Sequence, residues 1–318
     1  MRANLGVPTR VHTQATALSR NSAGLHVSPD LVPRTIPAKV FLRFQELIYR
    51  EAGIWLSEAK TSLLTGRLSR RLRALDLKDF AEYYNRVVVN EEERWCMLDA
   101  ITTNETHFFR EPGHFHFLEQ EVFPAWQQPA ASRRQHRTIR VWSAGCSTGQ
   151  EAYSLAMVLV DRFPPSMGWS IEIFASDISR RALAVAEEGV WDAKKAHEIP
   201  PYYLRNYTLK GLGENRGKIK AAPAIRVVRF QRLNLNDNVY PGIGTFNLIF
   251  CRNVLIYFDL ESRKRVIERL LNHLAPEGYL FLGHAETLNS ICTGLRCAGP
   301  TVYSFAGIRS EAHHATRR

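Results

Sequence analysis

Four runs of apolar residues at helical spacing open the readable part of this chain. Phe41, Phe44, Leu47 and Ile48 mark the first. Leu63, Leu64, Leu68, Leu72 and Leu75 mark the second, which Ser57 is placed to cap. Phe80, Tyr83, Tyr84 and Val87 give a third, and Trp95, Leu98 and Ile101 a fourth. Residues 36–110 are therefore expected to form a small all-helical domain. A polar linker follows at 127–137, and then the period changes. Residues 139–142 alternate like a strand, and a helical pattern starts at Glu151. A second strand over 170–176 leads to a helix over about 180–188. Further strands are predicted at 227–233 and 246–251, a helix at 261–274, a strand after the Pro276-Glu277-Gly278 turn, and a last strand at 302–305. Residues 190–230 break this rhythm with glycines, prolines and short β-like runs, which predicts a small insertion carrying an antiparallel hairpin. No internal repeat is visible.

The first strand, the glycine turn and the helix after it form the chemical centre of the pattern. Gly145 and Gly149 bracket a tight turn that lets backbone approach a ligand, and a helix N-terminus offers unpaired amides. Gly145-Cys146-Ser147-Thr148-Gly149 lacks the spacing and the lysine of a phosphate-gripping loop, and it is not G-x-G-x-x-G. Glu151, at the head of the helix, would repel a pyrophosphate but suits an ammonium group. S-adenosylmethionine carries an amino acid and a ribose but no phosphate, so it is the expected cofactor. Asp177 ends the second strand, where a ribose hydroxyl pair is held in doubly wound folds, although it is equally placed to cap the next helix.

Composition narrows the setting. At 318 residues, 45% hydrophobic and 23% charged, the chain has room for two domains and a full core. No apolar run reaches the ~20 residues needed to span a membrane, and a cytoplasmic protein without membrane insertion is expected. Cys96, Cys146, Cys251, Cys292 and Cys297 are odd in number, lack paired C-x-x-C spacing and read as reduced thiols. Residues 1–35 contain a single acid, Asp30, and read as an unstructured extension or an over-long gene start, with an organelle transit peptide as the competing possibility; residues 309–318 read as a frayed tail.

A formal charge of +11 calls for an acidic partner: nucleic acid, an anionic membrane or an acidic protein face. The second helix concentrates that charge. No acid lies between Glu58 and Asp76, whereas Lys60, Arg67, Arg70, Arg71 and Arg73 are all basic. Arg67, Arg70 and Arg71 share one face at i, i+3 and i+4. Such a run is either a solvated face or a docking surface for an acidic helix. His107, His114 and His116 have no cysteine or carboxylate at zinc spacing, so no metal is expected.

Taken together, TNETHFFRE, WSAGCSTGQEAYSLAM, FASDIS, NLIFCRNVLIYF and LAPEGYLFLGHAE resemble the chemotaxis receptor glutamate methyltransferases of the CheR type, in order and approximate spacing, over about residues 36–305. The resemblance implies a helical N-terminal domain and an α/β, doubly wound, Rossmann-like methyltransferase domain over 111–308, with a small inserted antiparallel β-subdomain. It also implies S-adenosylmethionine as donor, S-adenosylhomocysteine as product, and glutamates of chemoreceptor methylation helices as acceptors. It places Asn104, Thr106 and Arg110 over the cofactor, beside Gly145, with Glu151 at its amino group and Asp177 at its ribose. Asn234 and Leu235 would flank the adenine, and Arg252 and Asn253 would line the site after the fourth strand. Arg110 and Tyr257 would stand nearest the methyl group. Gln150 and Ala152 stand where Glu and Pro are usual, Asn247 replaces a common Asp and Ala285 a common Ser; none is a residue assigned here to binding or chemistry. Some members use the β-subdomain to bind a receptor C-terminal tail, for which the loop at 211–217 is a candidate.

The chemistry so implied needs little from the protein. A glutamate carboxylate, with a reference pKa of ~4.3, is already anionic at neutral pH, so no general base is required. A carboxylate attacking a sulfonium methyl cancels charge, and alignment with exclusion of water is the enzyme's task. Arg110 would orient the carboxylate and the Tyr257 hydroxyl would donate to it. Two other classes compete. A nucleic-acid methyltransferase fits the basic charge, with Cys251 near the place of a cytosine-C5 nucleophile and Pro200-Pro201-Tyr202 echoing an aminomethylating motif, but no proline precedes Cys251 and the second motif lies inside the insertion. A non-catalytic receptor-binding adaptor is opposed by the presence of Arg110, Glu151, Asp177, Arg252 and Tyr257 together. An NAD-dependent oxidoreductase lacks its fingerprint. A monomer that binds no nucleic acid is expected.

Overall fold

The computed structural model describes residues 35–128, 137–288 and 294–307. The expectations for residues 1–34, for the tail from 308, for most of the polar linker and for Cys292 lie outside the described residues.

The helical unit consists of α1 (Ala38–Ala52), α2 (Thr61–Ala74), α3 (Phe80–Val89) and α4 (Glu91–Ile101). Asp79 caps α3 by accepting from the amides of Ala81 and Glu82, and Asn90 caps α4 through Glu93. Ser57 does not cap α2. It precedes a one-turn 3₁₀ segment, Glu58–Lys60, and its side chain makes no capping bond. Phe44, Leu47, Leu68, Leu72, Tyr83 and Leu98 close a separate core between these helices.

A helix from Pro112–Phe117 runs through a π-turn at Leu118–Val122 into Phe123–Gln127, and we label it α5. The α/β unit then follows as β1 (Thr138–Ala144), α6 (Gln150–Arg162), β2 (Ser170–Asp177) and α7 (Arg180–Glu188). The interruption contains β3 (Val190–Asp192), α8 (Pro201–Tyr207), β4 (Thr208–Lys210) and β5 (Lys218–Ala221). It is a three-stranded antiparallel sheet in the order β3-β5-β4, one strand more than the hairpin expected from sequence. After it come β6 (Val228–Arg232), β7 (Phe246–Cys251), α9 (Leu260–Asn272), β8 (Leu274–Leu282), β9 (Leu295–Gly299) and β10 (Val302–Phe305).

The large sheet has the order β6-β2-β1-β7-β8-β10-β9. Its first five strands are parallel, and β10 and β9 are antiparallel additions. Side-chain alternation explains its double cover. Ile139 and Val141 of β1 join a core with α5, α6 and the insertion, whereas Trp142 and Ala144 join the opposite core with α9. Strand β9 has no counterpart in the sequence reading. Strand β8 also begins five residues early: it pairs Leu274 with Phe246 and Tyr279 with Leu248, so Pro276-Glu277-Gly278 is a bulge inside the strand rather than a turn before it. Gly278 is required there, because a Cβ would lie 2.8 Å from the Asn247 carbonyl oxygen and 2.9 Å from that of Ala275.

The two units are tied at the carboxyl ends of the parallel strands. Asn234 Nδ2 donates to the Glu51 carbonyl at 2.7 Å and Asn236 Nδ2 to that of Arg50 at 3.1 Å. The Trp55 amide donates to the Tyr257 carbonyl at 2.9 Å, and the Tyr49 hydroxyl donates to Asp259 at 2.8 Å. Among the described residues, no helix is long and apolar enough to cross a membrane.

Candidate active site

The crevice between these units lies outside the ends of β1, β2 and β7, the usual ligand position in an open α/β sheet. Asn104, Thr106, Arg110, Gly145, Glu151, Asp177, Asn234, Leu235, Arg252, Asn253 and Tyr257 all line it. Lys60 and Arg67 line it as well.

The glycine turn forms one wall. Gly145 has φ +83°, and a Cβ there would meet Val254 Cγ2 at 2.4 Å. Asp177 braces this turn instead of capping α7. Its Oδ2 accepts from the Ser147 amide at 2.8 Å and its Oδ1 from the Ser179 amide at 2.9 Å, while Ser179 itself caps the helix. Burial raises the Asp177 pKa against the pull of those amides. Glu151 accepts from Ser143 Oγ at 2.7 Å and from Arg252 Nε at 2.7 Å. Arg252 is 1% exposed at its side chain and also donates through Nη1 to the Arg110 carbonyl at 2.6 Å. Leu233, Leu235, Ile178 and Val254 add an apolar wall. The Asn234 side chain turns away to Glu51 and to the Asn236 amide.

A cofactor with an amino acid at one end and an adenosine at the other fits these groups. Glu151 and Asp177 put two acids on its lining, Arg252 a fixed cation, and Leu233 and Leu235 apolar surface.

The opposite wall is loop. Residues 102–110 have no regular structure and carry Phe109 at φ +50°, next to Glu111 at φ +57°. Arg110 Nη1 donates to the Glu105 carbonyl at 3.3 Å. Tyr257 ends a 3₁₀ turn, Leu255–Tyr257. Sequence reasoning assigned no role to Glu286, which proves central to this turn. Its buried carboxylate accepts from the amides of Asn253 at 2.8 Å, Gly283 at 2.7 Å and Ile256 at 3.2 Å. Asn253, at φ +59°, is fixed by that grip. The only signal was an acid in an otherwise apolar strand end, which says nothing of the three amides it meets.

The basic helix departs from a single continuous face. Arg71 turns inward, donating to buried Glu93 at 2.9 and 2.6 Å, where Tyr83 also donates at 2.8 Å. The acid that neutralises it sits on α4, which a scan of α2 alone does not reveal. Arg67 donates to the Ile101 carbonyl and, at 2.8 Å, to Thr103 Oγ1. Arg70 and Arg73 are exposed.

His107, His114 and His116 do not converge. Instead Glu111, His114 and His284 draw together, with His114 Nδ1 3.4 Å from Glu111 Oε2. Arg252 Nη1 occupies their midst, 3.3 Å from His114 Nδ1 and 3.6 Å from Glu111 Oε2, so a cation is already supplied. Burial, then the Arg252 charge, pushes the His114 pKa down to about 4. Cys251 is fully buried and its pKa is raised well above the usual thiol range by burial, then by Glu286 and Glu151. It has no thiolate to offer as a nucleophile.

A doubly wound sheet with an acid-lined crevice at its strand ends has the form of a nucleoside-cofactor site, as in S-adenosylmethionine-dependent methyltransferases. Comparison with known proteins gives the family. The model of the CheR methyltransferase all-alpha domain matches residues 39–102, and that of the CheR methyltransferase SAM binding domain matches residues 104–303. The chain is 39% identical over 268 residues to chemotaxis protein methyltransferase 2 of Pseudomonas aeruginosa, covering 83% of this chain and 92% of that one. It is 37% identical over 270 residues to the chemotaxis protein methyltransferase of Salmonella typhimurium, covering 84% and 90%. The chain belongs to the CheR methyltransferase family, with S-adenosylmethionine as cofactor and S-adenosylhomocysteine as product.

Proposed function

We propose that this protein transfers the methyl group of S-adenosylmethionine to glutamate side-chain carboxylates of chemoreceptors, giving methyl esters in sensory adaptation. The observation that carries this reading is a crevice lined by Arg110 and Tyr257 together with Glu151, Asp177 and Arg252, while the nearby thiols, Cys146 and Cys251, are sealed in the core. That set suits a nucleophile that arrives already ionised. Bound cofactor would supply an electrophilic methyl group. Glu151 and Arg252 would hold its amino-acid end, Asp177 its ribose, and Leu235 its adenine. Asn104, Thr106 and Asn253 would complete the enclosure. Arg110 would hold the incoming carboxylate by a charge-assisted bond and the Tyr257 hydroxyl would donate to it, so that water is replaced by fixed dipoles.

Names among the relatives support the setting in chemotaxis. Lys60, Arg67, Arg70 and Arg73 would guide an acidic methylation helix to the crevice, with Arg71 excluded from that task by Glu93. A receptor tail on the inserted sheet remains part of this reading through the loop at 211–217, as do cytoplasmic action and a monomeric enzyme. The test is to offer labelled cofactor together with receptor-bearing membranes and with RNA and DNA. Label is expected on the receptor; label on nucleic acid alone would overturn the proposal.

A further inference from the structure

The loop that carries Arg110 is held on one side by the inserted unit; on the other, the Phe109 amide donates to Ser154 Oγ at 3.0 Å and Arg252 Nη1 donates to the Arg110 carbonyl at 2.6 Å. The Phe108 amide donates to Glu198 Oε2 at 2.9 Å, and His107 Nδ1 lies 3.2 Å from Glu198 Oε1. Lys195 Nζ donates to the Thr106 carbonyl at 3.2 Å and to Glu198 Oε1 at 3.3 Å. Aromatic contacts repeat the pattern. The Phe108 ring meets Trp191 edge-on at 5.0 Å, and Phe109 stacks on Tyr203 at 5.2 Å. Trp191 in turn donates through Nε1 to the Thr148 carbonyl in the glycine turn. Thus four residues of the insertion grip Thr106 to Phe109, the stretch just before Arg110. Phe109 and Glu111 hold left-handed backbone, a conformation that persists only where surrounding contacts over-determine it.

We propose that the inserted unit is the frame that sets Arg110, and that Glu198, supported by Lys195, is a positioning residue for methyl transfer. Glu198 acts through the Phe108 amide and touches neither donor nor acceptor. The inference rests on the reading of Arg110 as the acceptor-orienting group. It gives the insertion a part in turnover that is separate from any partner docked on it.

The test uses the full chain with Glu198→Ala, Glu198→Gln, Lys195→Met and Arg110→Ala. Three quantities are read: methyl transfer to receptor-bearing membranes, S-adenosylhomocysteine affinity by calorimetry, and amide exchange of the 102–110 peptide by mass spectrometry. Glu198→Ala is expected to speed exchange at Phe108 and to lower kcat by about tenfold or more, with product affinity within about twofold. Glu198→Gln, which keeps an acceptor for the Phe108 amide, should recover most of that loss, and Lys195→Met should fall between. Unchanged exchange and kcat in Glu198→Ala would overturn the frame, as would equal losses of kcat and product affinity. If Glu198→Ala does not fold, the Gln and Met variants decide by the same readings. Arg110→Ala separates the two ideas: full turnover in that variant sinks the reading of Arg110, while the exchange data still judge the frame.

Discussion

The two walls of the crevice are built in different ways. The wall we assign to the cofactor stands on strand ends: Gly145 follows β1, Asp177 closes β2 and Arg252 follows β7, so each inherits its place from a sheet buried on both faces. The acceptor wall stands on loops. Beside Arg110 and Tyr257, carboxylates far away in sequence, Glu198 and Glu286, grip the backbone amides of Phe108, Asn253 and Ile256. On this proposal binding rests on regular structure and alignment on loops. Changes on one wall should strike affinity and stability, and changes on the other should strike turnover.

The largest effect is expected for Arg252→Met, which strands buried Glu151 without its cation. Stability should fall by about 3 kcal/mol in denaturant titrations, with product affinity lost by two orders of magnitude or so. Retained affinity would remove Arg252 from the cofactor wall. Next is Glu286→Gln, which puts an NH₂ group against amides that need an acceptor. We expect kcat to drop by about 30-fold with product affinity changed by no more than about threefold; parallel losses would show that the walls are not separable. Tyr257→Phe should cost about tenfold in kcat and leave affinity intact, and equal loss in both would move the tyrosine to the binding wall.

A smaller effect distinguishes the two halves of the basic helix. Reversal of Arg70 and Arg73 to Glu should raise the receptor KM by about fivefold at low salt and less at high salt. Arg71→Glu should instead lower stability, because it sets a second acid against Glu93. An unchanged KM in the double reversal would make the face a solvated one.

The last effect is a pH dependence of stability. His114 has a folded pKa near 4, below its ordinary value of 6.5, so the unfolded chain takes up a proton first as pH falls. Stability present above about 6.5 is lost progressively toward 4. Thermal melts between those limits should fall more steeply for the wild type than for His114→Gln. Equal slopes would place the acid sensitivity elsewhere.

The same contrast decides what was legible in the sequence. Period and turn chemistry mark β1, the glycine turn and Asp177, because short-range physics fixes them. The cradle of Glu286, the strut of Glu198 and the Arg71–Glu93 pair are tertiary: their partners lie 30 and 33 residues, 90 residues and 22 residues away. Charge counting along one helix cannot see an acid supplied by another. Strand β9 and the bulge in β8 escaped for a related reason, since an edge strand and a Pro-Glu-Gly bulge read locally as loop.

One measurement bears most directly on the proposed chemistry. Receptor-bearing membranes are labelled with S-adenosyl-[methyl-³H]methionine and this enzyme, washed, and treated with mild alkali, and volatile methanol is counted. A carboxyl methyl ester hydrolyses under these conditions, so the account predicts that nearly all incorporated label leaves as methanol. Label that enters the receptor and resists alkali would contradict it, because the acceptor would then be an amine or another group and not a carboxylate.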